Sequence, residues 1–132
     1  MAIVSALTQL GLSPSQAKHL GFDTQNGIAT TGNNSQADAY QITANVNIFS
    51  PVGAAANSAK MPRFIDCPLG WVFGVNFGAN TIKLFPAVGG LFPAKAVDAS
   101  IDVPAGSTFL FFRDNGSAGF GTAEYWMGSV FA

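Results

Sequence analysis

Asn76-Phe-Gly-Ala-Asn-Thr-Ile-Lys-Leu-Phe-Pro86 joins two apolar runs through a Gly/Asn turn and stops on a proline. Trp71 to Asn76 on one side and Thr81 to Phe85 on the other are short and rich in β-branched and aromatic residues, which favours strands. Phe77 to Asn80 supplies the glycine and asparagine of a tight connection. The stretch predicts a β-hairpin whose two strands are neighbours. Nothing in it suits acid–base or nucleophilic chemistry, so it speaks for a β-protein that holds something.

The same signals recur outward from this point. Tyr40, Ile42, Ala44, Val46 and Ile48 alternate with Gln41, Thr43, Asn45 and Asn47, as in a half-buried strand with one polar face. Pro51 ends that run, and Gly53 to Ala59 reads as a small-residue loop. Met61 to Ile65 predicts a short edge strand, because Pro62 cannot donate to an interior ladder. Val97 to Val103, Thr108 to Arg113 and Glu124 to Val130 predict three further strands, with turns at Pro104-Ala-Gly106 and Asp114-Asn-Gly116. About seven short strands predict an all-β fold, a single jelly-roll-like sandwich or a small barrel.

The first forty residues differ. Ile3, Val4, Leu7 and Leu10 fall at helical spacing. Ser13-Pro14-Ser15-Gln16 has the form of a capping box, predicting a short helix over Pro14 to Leu20 that Gly21 stops. Asp23 to Asp38 is polar and predicts a loop. The expected organisation is an N-terminal arm over 1–38, with a short helix and a polar loop, and a β-domain over 39–132.

The chain has 132 residues, 48% of them apolar and 10% charged, with twelve phenylalanines and a net charge of −1. Ordinary soluble proteins are about 25% charged. The surplus of apolar residues suggests surface buried against other chains. Lys18, Lys60, Arg63, Lys83, Lys95 and Arg113 are scattered, whereas a phosphate-tracking surface groups its cations, so direct nucleic-acid binding is not expected. No apolar run approaches the ~20 residues of a membrane span. The N-terminus lacks the basic start of a signal peptide, so synthesis in the cytoplasm without export is expected. Cys67 is the single cysteine, which excludes an internal disulfide and suggests a reducing compartment.

Residues able to do chemistry are few. His19 is the only histidine, and its place near the end of a short helix suits a favourable helix-end charge better than catalysis. Asp98 and Asp102, four apart in a strand-like run, would share a face, as a glycosidase pair or calcium ligands must, or simply as solvated strand ends. Asp114-Asn-Gly116 resembles half a calcium loop but lacks the acidic residues that follow in one, and reads as a turn. Trp71, Tyr125 and Trp126 could stack on sugars, although core packing is the better use of aromatics in so phenylalanine-rich a chain. No catalytic, metal-binding or cofactor-binding residue is expected.

Gly32-Asn-Asn-Ser-Gln-Ala-Asp-Ala39 is similar to the Gly-(Thr/Ser)-x-Gln-Ala-x-Ala opening of a family of small β-structured virion proteins of tailed bacteriophages. Met61-Pro62 resembles its Leu-Pro, and Asn76-Phe-Gly-Ala-Asn80 with Leu84-Phe85-Pro86 its Asn-x-Gly-x-Asn and aromatic-Pro pair. Val103-Pro-Ala-Gly106 before Phe109-Leu-Phe-Phe112 resembles its turn and penultimate strand, and Glu124-Tyr-Trp126 its closing tryptophan, although the usual order there is Trp before Tyr. Leu10-Gly-Leu-Ser-Pro-Ser-Gln-Ala17 looks like the leader of small phage head proteins of this kind. The resemblance spans about residues 32 to 130, and its strength lies in the order of motifs that are each short.

The resemblance implies a non-enzymatic capsid cement (decoration) protein on the outside of a virion assembled in the host cytoplasm. Its partners would be the major capsid protein and further copies of itself, as a dimer or trimer, with no nucleic acid, membrane or cofactor. A tail or fibre component contacting the host receptor, or a carbohydrate-binding module, is the alternative. Ile3, Val4, Leu7 and Leu10 are the candidate contacts with capsid or a neighbouring subunit; the same residues would equally suit a small helix covering one open end of the β-domain.

Overall fold

The computed structural model describes residues 11, 13, 23–30, 34–50, 57–114 and 123–132. The expected helix over Pro14 to Leu20, His19, and the arm residues Ile3, Val4, Leu7 and Leu10 lie outside them. The described residues are all-β apart from one 3-10 turn at Phe64–Asp66.

Among the described residues, nine strands form two mixed sheets that do not close into a barrel. They are β1 (Thr24–Ile28), β2 (Tyr40–Gln41), β3 (Val46–Phe49), β4 (Ser58–Lys60), β5 (Trp71–Asn76), β6 (Ile82–Phe85), β7 (Ile101–Val103), β8 (Thr108–Arg113) and β9 (Trp126–Phe131). Sheet A has the order β1-β3-β5-β8-β9 and sheet B the order β2-β4-β6-β7. Through β6 the chain alternates between sheets. Within each sheet the successive strands are parallel: β1 with β3 and β3 with β5, β2 with β4 and β4 with β6. These strands therefore trace a flattened coil. The last three strands run antiparallel to their neighbours and complete both sheets. The expectation of a jelly roll does not predict the parallel pairs.

Several expectations change for one reason: the chain switches sheets where local pattern suggests it continues. β5 and β6 are not a hairpin but belong to opposite sheets, and residues 77–81 arch from one to the other. The alternating run from Tyr40 is likewise two strands, β2 and β3, in different sheets. Its facing is inverted at the end, with Asn47 and Phe49 inside and Val46 and Ile48 on the outer face. The Nδ2 of buried Asn47 donates to the carbonyls of Ala44 (2.9 Å) and Phe73 (3.2 Å), while its Oδ1 has no partner among the described residues. Asn45 donates in the same way to Trp71, at 2.8 Å. Parallel strands offer such side chains the carbonyls of the next turn of the coil.

Three smaller corrections follow. Asp23 to Asp38 is not all loop, since β1 pairs with β3. The strand expected at Met61 to Ile65 lies earlier, at β4, and Pro62 is followed by the 3-10 turn. Val97 to Val103 is a strand only from Ile101, because Asp98 takes a left-handed backbone (φ 64°).

The core lies between the sheets. Ile42, Phe49, Met61, Val72, Ile82, Leu84, Phe92, Val103, Phe109, Phe111 and Trp126 are all buried there. Phe92 and Phe111 pack with ring centres 4.9 Å apart, and Phe64 meets Trp126 edge to face at 5.1 Å. Gly74 faces this core opposite Phe109. A Cβ at residue 74 would lie 2.3 Å from the Phe109 ring, so the absent side chain is the slot the ring occupies.

Candidate functional site

Among the described residues, the groups singled out for chemistry do not assemble. Asp98 and Asp102 do not share a strand face. Asp98 sits in the turn before β7, where its Oδ1 accepts from Gln36 Nε2 (3.0 Å) and from the Gly89 amide (2.8 Å). Asp102 is on β7 and pairs with Lys83 of β6 at 2.7 Å, on the surface. One carboxylate fixes a loop and the other forms a cross-strand ion pair. Among the described residues no three His, Cys, Asp or Glu side chains come together as metal ligands.

Cys67 is buried, and its thiol lies 3.6 Å from the Trp71 carbonyl. Burial pushes its pKa up, against the smaller opposing pull of the Gly70 amide and the Arg113 guanidinium. A reactive cysteine needs the opposite balance. The two tryptophans of the candidate sugar platform separate: Trp126 is wholly buried in the core, while Trp71 is half-buried on the outer face of sheet A.

Motif residues meet as backbone ties. Gln36 Nε2 donates to the Pro86 carbonyl at 2.9 Å as well as to Asp98. Asn76 Nδ2 donates to the carbonyls of Asn80 and Val103, and the Gly106 amide donates to the Asn76 carbonyl at 2.7 Å. Glu124 accepts from the Phe64 amide at 2.8 Å. These residues hold segments together.

What stands out is the outer face of sheet A. Buried and outward positions alternate along β3, β5 and β8, and the register with β8 sets the facing of β9. Val46 and Ile48 of β3, Trp71, Phe73 and Val75 of β5, Leu110 and Phe112 of β8, and Met127 and Phe131 of β9 point away from sheet B. Only Thr108 and Ser129 among the outward positions of these four strands are polar, and none is charged. Strand register places Trp71, Phe112 and Met127 in one row, and Val75, Thr108 and Phe131 in another. Phe112, Met127 and Phe131 remain 49%, 44% and 47% exposed, and Phe77, just past β5, 69%.

At about 4.8 Å between strands and 3.3 Å per residue, the four strands span a footprint of roughly 400 Å². That is the size of the largest apolar patches on monomers, which are often functional. The sequence carries a signal of this face. Trp71 to Val75 and Phe109 to Phe112 are apolar at successive positions, the pattern of strands buried on both faces. Sheet B covers one face only.

A second feature is an open groove of about 550 Å³ lined by Gln41, Lys60, Arg63, Ala87, Val88, Gly89, Ala123 and Glu124. Its charges are mixed, and no acid–base pair or nucleophile converges in it.

Comparison with protein-family models, with curated proteins and with solved structures returned no match in any of the three.

Proposed function

We propose that this chain is a bacteriophage capsid cement protein, non-enzymatic, and that the outer face of sheet A is the surface it lays on the assembled shell. The observation that carries this reading is an apolar, uncharged sheet face with half-exposed Phe112, Met127 and Phe131 at its centre and edge. It is supported by the ordered resemblance of residues 32 to 130 to small β-structured phage virion proteins. A face without charge fits a partner by shape and apolar contact, with little electrostatic steering. The major capsid protein is the intended partner, on the virion exterior.

The mechanism is linkage. A protein that binds only the assembled lattice stabilises it by RT ln(1 + [L]/Kd), about 2.7 kcal/mol per site at a hundredfold excess over Kd. Repetition over many sites opposes the outward pressure of packaged genome.

The test is binding of the purified chain to expanded and to unexpanded capsids, followed by sedimentation of the particles. Saturable binding to expanded capsids, lost in Phe112→Asp while the variant stays folded, is the expected result. Equal binding by Phe112→Asp would move the docking surface elsewhere. Virions that hold a handful of copies instead of hundreds would favour a tail component over cement.

A further inference from the structure

We propose that β9 is the edge through which two copies of this chain join, strand to antiparallel strand, about a two-fold axis normal to sheet A. The occupant of this edge is a second copy of the chain.

The four sheet edges are not alike. A strand edge presents unpaired amides and carbonyls, and natural proteins blunt it by shortness, charge, proline or a bulge. Sheet B ends on β2, which is two residues long, and on β7, which is three residues long and carries the ion-paired Asp102. Sheet A ends on one side at β1, whose Thr-Gln-Asn-Gly stretch is polar and whose register slips between Gln25 and Ile28. Gly27 there takes a left-handed backbone (φ 65°). The other end is β9. It is six residues long, in unbroken register with β8 from Arg113 to Thr108, and has neither a charge nor a proline. Three edges are blunted; among the described residues β9 is paired on its outer side only at its start, where the Trp126 amide donates to the Leu91 carbonyl at 3.1 Å, and it is open from Met127 onward.

Its side chains also suit a copy of itself. A second feature lies at the same edge: a cleft of about 270 Å³ between β9 and β7, with Pro93, Ile101, Phe111 and Val130 in its walls beside the polar Asp102 and Ser129. Gly128 contributes no side chain there, and none fits, since a Cβ would fall 2.0 Å from the Leu110 carbonyl oxygen. A strand added beside β9 would direct alternate side chains into this cleft. It would direct the others onto the outer face beside Met127 and Phe131.

Antiparallel pairing of a strand with its own copy requires a two-fold normal to the sheet, an isologous and closed arrangement. That operation keeps both outer faces on one side. The apolar footprint therefore doubles, from roughly 400 to roughly 800 Å², which is what one partner contributes to a stable protein–protein interface. The pairing concerns the chain alone and stands or falls separately from the capsid reading.

The experiment is sedimentation equilibrium of the purified chain over a concentration series. Three proteins are compared: the unmodified chain, Ser129→Lys on the exposed side of β9, and Thr24→Lys on the exposed β1 edge. Hydrogen exchange of the unmodified chain at low and high concentration accompanies it. The expected result is a mass that doubles from 13.7 kDa with concentration and persists in Thr24→Lys. Ser129→Lys should weaken association at least tenfold, because like charges would meet across the two-fold. Amides in Met127 to Phe131 should gain protection as the dimer forms. A mass of one chain at every concentration overturns the proposal, as does a dimer that Ser129→Lys leaves intact. If Ser129→Lys does not fold, the exchange data decide: a dimer with no added protection in β9 overturns it, and protection confined to β9 sustains it.

Discussion

The side-chain amide of Asn76, at the end of β5 in sheet A, donates to the backbone carbonyl of Val103 in β7 of sheet B across 3.0 Å. The same nitrogen donates to the Asn80 carbonyl at 2.8 Å, and its oxygen accepts from the Gly78 amide at 3.0 Å. One wholly buried side chain thus closes the arch between the sheets and ties it to the end of β7. Removing it as Asn76→Ala strands three backbone groups, and a loss of about 3 kcal/mol is expected in urea unfolding. Asn76→Asp should be worse at neutral pH and recover partly on acidification, since a protonated carboxyl restores one donor. An Asn76→Ala variant of unchanged stability would show that the arch is held by something else.

Arg113 closes the opposite end of β5. Its guanidinium donates to the carbonyls of Phe64 (3.0 Å), Cys67 (3.1 Å) and Pro68 (3.4 Å), clamping the 3-10 turn and the loop after it. Arg113→Ala is expected to cost about 2 kcal/mol. Arg113→Lys should recover less than half, because an ammonium cannot span three carbonyls as the planar fork does. Thermal unfolding of the two variants side by side checks this.

Gly74 and Phe109 form a size-matched pair across β5 and β8. Gly74→Ala would press on the Phe109 ring and should destabilise by 1–3 kcal/mol, roughly the cost of overpacking a core. Combining it with Phe109→Leu should restore part of that loss. A double-mutant cycle with no coupling between the two sites would contradict the packing described.

Trp126 fills the core edge-on to Phe64. Trp126→Ala should cost roughly 3–5 kcal/mol through the cavity it leaves. Trp126→Phe should cost much less, because the indole N–H has no hydrogen-bond partner among the described residues. Stability of both variants, measured by denaturant, separates packing from polar contributions.

Cys67 provides a pH signature. Its folded pKa is raised, chiefly by burial. The unfolded thiol ionises first as pH rises, so the contribution of Cys67 to stability is full below the ordinary thiol range. It is lost as pH climbs from there towards the raised folded value. Unfolding temperatures should fall more steeply with alkaline pH in the unmodified chain than in Cys67→Ala. Thiol labelling of the native protein should be slow and should quicken in Arg113→Ala, whose loop is unclamped.

Local order was well marked in the residues. Trp71 to Asn76 and Thr108 to Arg113 are strands with the expected limits, and the last strand begins at Trp126, within the stretch proposed for it. Turn chemistry also carried through at Gly106, whose φ of 80° is what a Pro-Ala-Gly turn before a strand requires. Strand existence depends on side-chain shape and spacing over a few residues, and these are written in the chain.

Strand partnership is not local, and there the residues misled. Phe77 to Asn80 has the composition of a hairpin turn, yet it serves equally as an arch once Asn76 finds Val103 on the far sheet. The alternation from Tyr40 puts Asn47 on the solvent face, whereas the parallel neighbour supplies the Phe73 carbonyl that holds it inside. The exposed face of sheet A could not be located either, because continuous apolar runs show that both faces want burial and not which one the chain itself will cover. By itself the sequence determined an all-β chain poor in charge and in reactive groups. The tertiary structure decided which strands share a sheet, which apolar face and which edge are left open, and hence where a partner can meet it. The physical reason is that hydrogen-bond partners and burial are assigned only when distant segments compete for the same space.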